Sequence, residues 1–322
     1  MLREWAKAFL LALVIVLLVR TCWLEPYSVP TASMAHTLLP GDFILVNKAI
    51  FGARLPSPIS KYWRLPAFSN LQHNDVVVFN SPIEDEPSIT NRTVFVKRCI
   101  ALPGDTLQIK EGKYFINSNP ITEPPGIRHN FHIKTKDSVL SEAFFQASHQ
   151  AEGGKISKNG DYSYSLSDSE AKIVQKLPKI DLCQVFCDEE NNYSDYTFPH
   201  SYGYKWNQDW MGPLVIPKKG DSITLNSKNI VLYKQIIAVY EKNQLEVHGD
   251  SILINLQLTT HYKFKLNYYF MVGDNRPVSY DSRFWGFVPE DHIIGKATYL
   301  LFSTPGEKKK KAEKGRWFSK IQ

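Results

Sequence analysis

Two residues in this chain have surroundings that could support nucleophilic chemistry, a serine near the start and a lysine some way downstream. Ser33 lies in "SVPTASMAHTLLPGDFILVNK" (28–48), a turn of small residues with two hydroxyls, Thr31 and Ser33, leading into a strand-like run. A serine hydroxyl is a weak nucleophile until a base takes its proton. His36 is three residues away, but on a turn or strand it would point elsewhere; His73 and His248 stand in turn-like contexts. No Gly-x-Ser-x-Gly elbow is present, so a Ser-His-Asp triad has little support. The other candidate base is a lysine made neutral by burial. In "TVFVKRCIAL" (93–102) strict alternation places Phe95, Lys97 and Cys99 on one face of a strand and Val94, Val96 and Arg98 on the other. One of the two cations then faces a side that can be buried, and desolvation lowers a lysine pKa towards a free amine that accepts protons. Taken alone, Lys97 reads more simply as a cation on an exposed edge strand.

The elements that must carry these residues are mostly strands. Alternating apolar stretches at 42–46, 75–80, 93–102, 106–110 and 113–117 are separated by turns such as Pro40-Gly41-Asp42, Pro103-Gly104-Asp105 and Glu111-Gly112. From about 118 to 210 the chain is polar and reads as irregular, with one helix announced by the capping box Ser167-x-x-Glu170 and ended before Pro178. Strands are expected again at 222–225, 229–241, 244–249, 251–255, 262–274 and 293–303. "PGDTLQIKEGKYFIN" (103–117) is echoed by "KGDSITL" (219–225) and "LEVHGDSILIN" (245–255), each read as a Gly-Asp turn into a hairpin.

The N-terminus, "MLREWAKAFLLALVIVLLVRTCWLEP", has an uninterrupted apolar run from Ala8 to Val19. Counted from Trp5 to Leu24, about 20 residues reach across ~30 Å of hydrocarbon. Lys7 and Arg20 can snorkel, and Trp5 and Trp23 sit where interfacial aromatics belong. A cleaved signal peptide is the rival, yet Arg20, Trp23 and Glu25 stand where a small-x-small cleavage site would be needed. The expectation is an uncleaved single-pass anchor. Arg3 and Lys7 outweigh Glu4, which places the N-terminus in the cytoplasm and everything after Glu25 outside it.

The fold class expected is therefore mainly β: an N-terminal transmembrane helix, then an antiparallel β-sheet catalytic domain with a long insertion. The expected divisions are an anchor (1–25), a first part of the β core (26–117), an inserted subdomain (118–261), a second part of the core (262–305) and a basic tail (306–322). A formal charge of +6, much of it in "EKKKKAEKGR" (307–316), is too mild to argue for nucleic acid and suits a solvated or lipid-facing tail. The four cysteines, Cys22, Cys99, Cys183 and Cys187, form no Cys-x-x-Cys pair, and no histidine cluster has zinc spacing, so no metal and no cofactor are expected. A Cys183–Cys187 disulfide is left open by the spacing, with poor geometry were the two on a regular helix.

Three blocks in order resemble the type I signal peptidases, the membrane-bound Ser/Lys leader peptidases: "VPTASMAHTLLPGDFILVNK" (29–48), "VFVKRCIALPGDTLQI" (94–109) and "MVGDNRPVSYDSRFWGFVPEDHIIGKA" (271–297). The third is a long compound match and the most specific. Departures are Ala35-His36 where the family often has proline, Ala32 for a common glycine, and Pro277-Val278 before Ser279; none removes a reacting group.

The resemblance implies Ser33 as nucleophile, Lys97 as general base, and an oxyanion held by the Ser33 amide and the Thr31 hydroxyl. Ser279 matches the lysine-orienting serine, and Asp281 and Arg283 match a structural ion pair. Asp274 and Arg276 would brace the same loop, and Gly273 would let the backbone come close. Tyr27, Val29, Met34, Leu38, Phe95 and Val96 are implied by position as lining for shallow apolar subsites, or as plain core. The implied substrates are exported preproteins cut after small-x-small sites through an acyl-enzyme, at the inner membrane of a bacterium, with membrane lipid as the other partner and no nucleic acid. A membrane-anchored β scaffold with a dead site and a self-processing Ser/Lys peptidase are the rival readings.

Overall fold

The computed structural model describes residues 1–55, 63–136, 139–147, 152–158, 160–304 and 316–322. Most of the basic tail at 307–316 lies outside the described residues. The chain forms two compact units: residues 1–31, 38–98 and 292–322, and residues 32–37 and 99–291.

The first unit begins with the helix Leu2–Cys22, none of whose residues is buried. Its length and apolar composition are those of a membrane-crossing helix and fit a membrane anchor. Strand Leu24–Ser28 follows and pairs antiparallel with Asp42–Asn47, Tyr27 standing opposite Ile44. Asp42–Asn47 pairs in turn with Ile293–Ser303. The other edge of that long strand is shared: its first part pairs with Val76–Asn80 and its later part with Ser319–Lys320. Val76–Asn80 then pairs with Val94–Arg98 of the strand Val94–Ala101. The Asp42–Asn47 pattern of buried and partly exposed residues alternates strictly, as a half-covered strand requires. Ile44, Val46, Val77, Val78, Phe79 and Leu300 fill the core of this unit.

The second unit holds two apolar cores. One gathers Leu107, Ile109, Tyr233, Ile237, Phe270 and Phe287 with their neighbours; the other gathers Phe131, Ile133, Phe144, Tyr164 and Leu166. The hairpin Thr106–Lys110/Lys113–Ile116 forms as the Gly-Asp and Glu-Gly turns suggest, and so does Leu245–His248/Ser251–Ile254. Ser222–Thr224 differs, because it pairs with His261–Lys263 rather than with a strand beside it in the chain.

Two sequence expectations are overturned. The stretch 229–241 is helical, Ile230–Gln235 continuing as a π-turn over Ile236–Tyr240. Its β-branched residues suggested a strand, but Ile230, Leu232, Tyr233, Ile236, Ile237 and Tyr240 are buried, and all of these except Leu232 keep the spacing of one helix face. Asn226 starts the turn by accepting from the main-chain amides of Lys228 and Asn229. The polar middle is also more ordered than its composition suggested. It carries a four-stranded antiparallel sheet of Gly153–Lys155, Asp161–Ser167, Arg128–Thr135 and Ile180–Val185. Phe131, Ile133 and Thr135 turn inward on one strand and Tyr162, Tyr164 and Leu166 on the next, with polar residues on alternate positions. The helix expected from the capping box is present at Asp168–Val174, with the reciprocal Ser167–Glu170 bonds in place. No disulfide joins Cys22, Cys99, Cys183 or Cys187, and Cys183 lies on a strand rather than a helix.

Candidate active site

The loop after strand Tyr268–Val272 is built to be rigid. Asp281 caps the short helix Ser282–Trp285 by accepting from the Arg283 amide. The same carboxylate takes a bidentate pair from Arg283, Nε to Oδ1 and Nη2 to Oδ2, both at 2.9 Å. Its Oδ2 also accepts from the Gly273 amide at 3.1 Å, closing 273 to 281 into a ring. Arg283 Nη2 reaches on to the carbonyls of Arg276 (2.7 Å) and Ser279 (3.3 Å). Asp281 and Arg283 are both buried. Burial opposes the charge on Arg283, but the Asp281 carboxylate outweighs it and holds the guanidinium protonated. Breaking such a pair strands the surviving charge and costs about 3–5 kcal/mol.

This loop cradles the segment 32–37. Asn275 N donates to Ser33 O at 3.0 Å, and Asn275 Nδ2 donates to Ala32 O at 3.2 Å. Thr37 Oγ1 donates to Asp274 Oδ2 at 2.5 Å. Gly273 has no side chain for a spatial reason: a Cβ there would stand 2.1 Å from Ser279 Oγ and 2.6 Å from Ser33 O. The second unit thus brings Ser33, Gly273, Asp274, Ser279, Asp281 and Arg283 into one place. Ser33 itself is partly exposed. Ser279 is buried, and its Oγ has no hydrogen-bond partner among the described residues. Such a group calls for an explanation in function or packing. Met34 is buried, while His36 is exposed and packs beside Gly126.

In the first unit Lys97 stands on strand Val94–Ala101 opposite Val77, at 3% exposure. Its neighbour Arg98 is buried as well and donates to the carbonyls of Asn74 (2.7 Å) and Gln322 (3.0 Å). Both faces of the strand are therefore covered at this point, where alternation alone required only one. Phe95 and Val96 are partly exposed, and the Phe95 ring meets Phe79 edge-on with centroids 6.1 Å apart. Val29 and Leu38 are buried; Tyr27 is partly exposed and donates to Glu25 at 2.9 Å; Thr31 is exposed.

Several residues that carry this geometry were not singled out in the sequence. Asn275 is one. Arg128 is another: its amide donates to Asp274 O at 2.9 Å, and its buried guanidinium pairs with Glu170 at 2.7 Å. Glu170 was legible as half of a capping box, but nothing in the sequence marks Arg128 as its partner. Glu123 is a third: it accepts at 2.9 Å from Arg276, the brace the motif implied, which also donates to Gly273 O (3.0 Å) and lies 4.5 Å over the Tyr114 ring.

Glu123 is the acid-sensitive part of this brace. Burial works against its charge, but the hydrogen bond from His129 and the charge of Arg276 outweigh burial and hold the carboxyl down to about 2. A carboxyl depressed on folding stabilises the protein above its unfolded value near 4.3, and that stability is lost as pH falls from about 4 towards 2. Glu123→Gln should then cost on the order of 2–3 kcal/mol at pH 6. Urea unfolding in detergent should show the gap between variant and parent closing between pH 5 and pH 2.5; a gap as wide at pH 2.5 as at pH 6 would contradict the pairing.

A family model described as signal peptidase, peptidase S26, matches residues 2–172 and 214–302. Signal peptidase I of Buchnera aphidicola subsp. Baizongia pistaciae is 30% identical over 297 residues, which are 91% of this chain and 74% of that protein. Signal peptidase I of Haemophilus influenzae is 26% identical over 307 residues, 94% of this chain and 70% of that protein. The crystal structure of a signal peptidase I from Enterococcus faecalis V583 matches 72% of this chain and all of its own at 17% identity, with a TM-score of 0.27, too low for an element-by-element comparison.

Proposed function

We propose, for a chain that belongs to the signal peptidase family, peptidase S26, that it is a membrane-anchored endopeptidase working through a Ser33/Lys97 dyad. Membership implies removal of signal peptides from precursor proteins. The dyad, the cleavage preference and the acyl-enzyme are our reading of this chain's residues. The observation that carries it is the cradle at Gly273, where Ser279 Oγ and the Ser33 carbonyl crowd the same missing side chain. Residues of the first and third motif blocks converge there.

In this mechanism Ser33 Oγ attacks the scissile carbonyl and its proton passes to the neutral amine of Lys97. The carbonyl oxygen takes up the negative charge, held by the Ser33 amide and the Thr31 hydroxyl. One such donor is typically worth about 3 kcal/mol. The C–N bond breaks as Lys97 returns the proton to the leaving amine. A water, deprotonated by the same lysine, then hydrolyses the ester and frees Ser33. Ser279, a buried hydroxyl without a partner among the described residues, is assigned to aiming the lysine amine. Asp281 and Arg283 hold the loop behind it.

Substrates are exported preproteins cut after small-x-small sequences. Tyr27, Val29, Met34, Leu38, Phe95 and Val96 are the proposed apolar lining, small side chains being all that shallow subsites admit. The helix Leu2–Cys22 spans the inner membrane of a bacterium once, its N-terminus in the cytoplasm. It keeps the serine turn at the depth where the scissile bond of a translocated precursor emerges. Lipid is the second partner, and no nucleic acid is involved.

The test is cleavage of a precursor ending its signal in Ala-x-Ala by the purified full chain in detergent. A single cut after the second alanine is expected, and an intact precursor would sink the proposal. His36→Ala should keep at least about half the parent rate, since an exposed side chain has no part in the dyad. A fall to background would instead make His36 the base.

A further inference from the structure

The oxyanion site proposed above depends on the Ser33 amide, and an amide is only as well aimed as the peptide plane that carries it. That plane joins Ala32 C=O to Ser33 N–H, and in a rigid trans peptide fixing the oxygen fixes the direction of the hydrogen. Asn275 Nδ2 donates to that oxygen at 3.2 Å. Asn275 N donates to the carbonyl on the other side of the same residue, Ser33 O, at 3.0 Å. One fully buried asparagine therefore holds both peptide planes that meet at the Ser33 Cα.

A side-chain amide can hold a plane only if it cannot turn over, because rotation would exchange its donor for its acceptor. Ser165 prevents this: its hydroxyl makes a short hydrogen bond to Asn275 Oδ1. Ser165 is buried on strand Asp161–Ser167 of the inserted sheet, and its own amide donates to Glu152 O at 2.8 Å. Glu152 Oε2 lies 3.5 Å from Asn275 Nδ2, a second reason for the nitrogen to face this way. The backbone just before Asn275 is tied to the same sheet through the Arg128 amide on Asp274 O.

We infer that Ser165 and Asn275 are positioning residues, through which the inserted sheet aims the Ser33 amide at the developing oxyanion. This gives the insertion a part in catalysis. It rests on the Ser33/Lys97 reading and deepens it. An oxyanion donor is worth about 10²–10³ in kcat when removed outright. A donor left in place but unaimed should cost less, about 10- to 100-fold in kcat.

The experiment uses the full chain in detergent and three measurements: kcat and KM on an Ala-x-Ala precursor, affinity for a peptide aldehyde of the same sequence, and affinity for the matching uncleavable reduced-bond peptide. The aldehyde adds Ser33 Oγ to its carbonyl carbon; the π pair moves to oxygen, and the serine proton passes to the base. Its binding thus reports the oxyanion site, whereas the reduced-bond peptide reports the subsites alone. For Asn275→Ala, kcat and aldehyde affinity should fall together by about 10- to 100-fold, with KM and reduced-bond affinity within about twofold. Ser165→Ala should move the same two quantities in the same direction by less, and Ser165→Thr, which keeps the hydroxyl, should recover most of the loss. Unchanged kcat and aldehyde affinity in both alanine variants would overturn the inference, and so would an equal loss of affinity for both ligands. Failure of the dyad reading is seen separately, as precursor cleavage that survives Ser33→Ala in an otherwise unaltered chain.

Discussion

Ser33→Ala and Lys97→Ala should each bring precursor cleavage down by on the order of 10⁴-fold or more, to background, while the fold is kept. Without the hydroxyl no acyl-enzyme can form. Without the amine nothing takes the serine proton at neutral pH, and a positioned base is by itself worth about 10²–10⁴. Lys97→Met tests the base more cleanly than alanine, because it fills similar space at a position only 3% exposed. It should be as inactive as Lys97→Ala. The proposed role also sets the sign of the pH dependence. Only the unprotonated amine accepts a proton, so the rate of the parent should rise with pH along its acidic limb. Near-normal cleavage by Lys97→Met at neutral pH would remove lysine from the mechanism and reopen the search for a base.

Gly273→Ala should be nearly as damaging, although glycine carries no reacting group. The added Cβ would stand 2.1 Å from Ser279 Oγ, 2.6 Å from Ser279 Cβ and 2.6 Å from Ser33 O. No real Cβ tolerates such distances, so either Ser33 or the loop must move. The loop cannot give easily, since the Gly273 amide is tied to Asp281, which is locked to Arg283. The Ser33 peptide is the weaker side. A displacement of about 1 Å at a reacting group can cost 10²-fold, so a loss of at least about 100-fold in kcat is expected, with a stability cost of about 1–3 kcal/mol from overpacking. Combining Gly273→Ala with Ser279→Gly removes two of the three clashes. The pair should regain melting temperature but not activity, because the contact with Ser33 O remains and the hydroxyl assigned to aim Lys97 is gone. A Gly273→Ala enzyme within twofold of the parent would mean that the loop and the serine turn do not approach as described.

How much of this was legible without coordinates depends on the kind of signal. The strand Ile293–Ser303 was read to its ends, and the hairpin at 106–116 to within a residue, because alternation and Gly-Asp turns are local and strong. The capping box at Ser167 and Glu170 was equally local. The helix at 230–240 was missed because isoleucine, valine and tyrosine favour strands, whereas the buried positions 230, 233, 236, 237 and 240, with Leu232 buried beside them, follow the helical period. Tertiary packing decided there, not propensity. The inserted sheet was hidden by serine, histidine and lysine on the outward positions of its strands. At the site, the motif residues were legible as a compound pattern. Their support was not: Ser165, Arg128 and Glu123 are far from the blocks in sequence and reach the 274–276 loop only through the fold. Hydrogen bonds across more than a hundred residues leave no local trace in a single chain.

The central claim is that Ser33 becomes acylated. An Ala-x-Ala peptide p-nitrophenyl ester should acylate Ser33 faster than the acyl-enzyme hydrolyses, because its leaving group needs no proton from lysine. The parent should be mixed with this ester, quenched in acid within one turnover, digested and mapped by mass spectrometry. The peptidyl mass should appear on the fragment containing Ser33 and be absent in Ser33→Ala. Turnover of the ester with Ser33 unmodified, or the same mass on another residue, would contradict it.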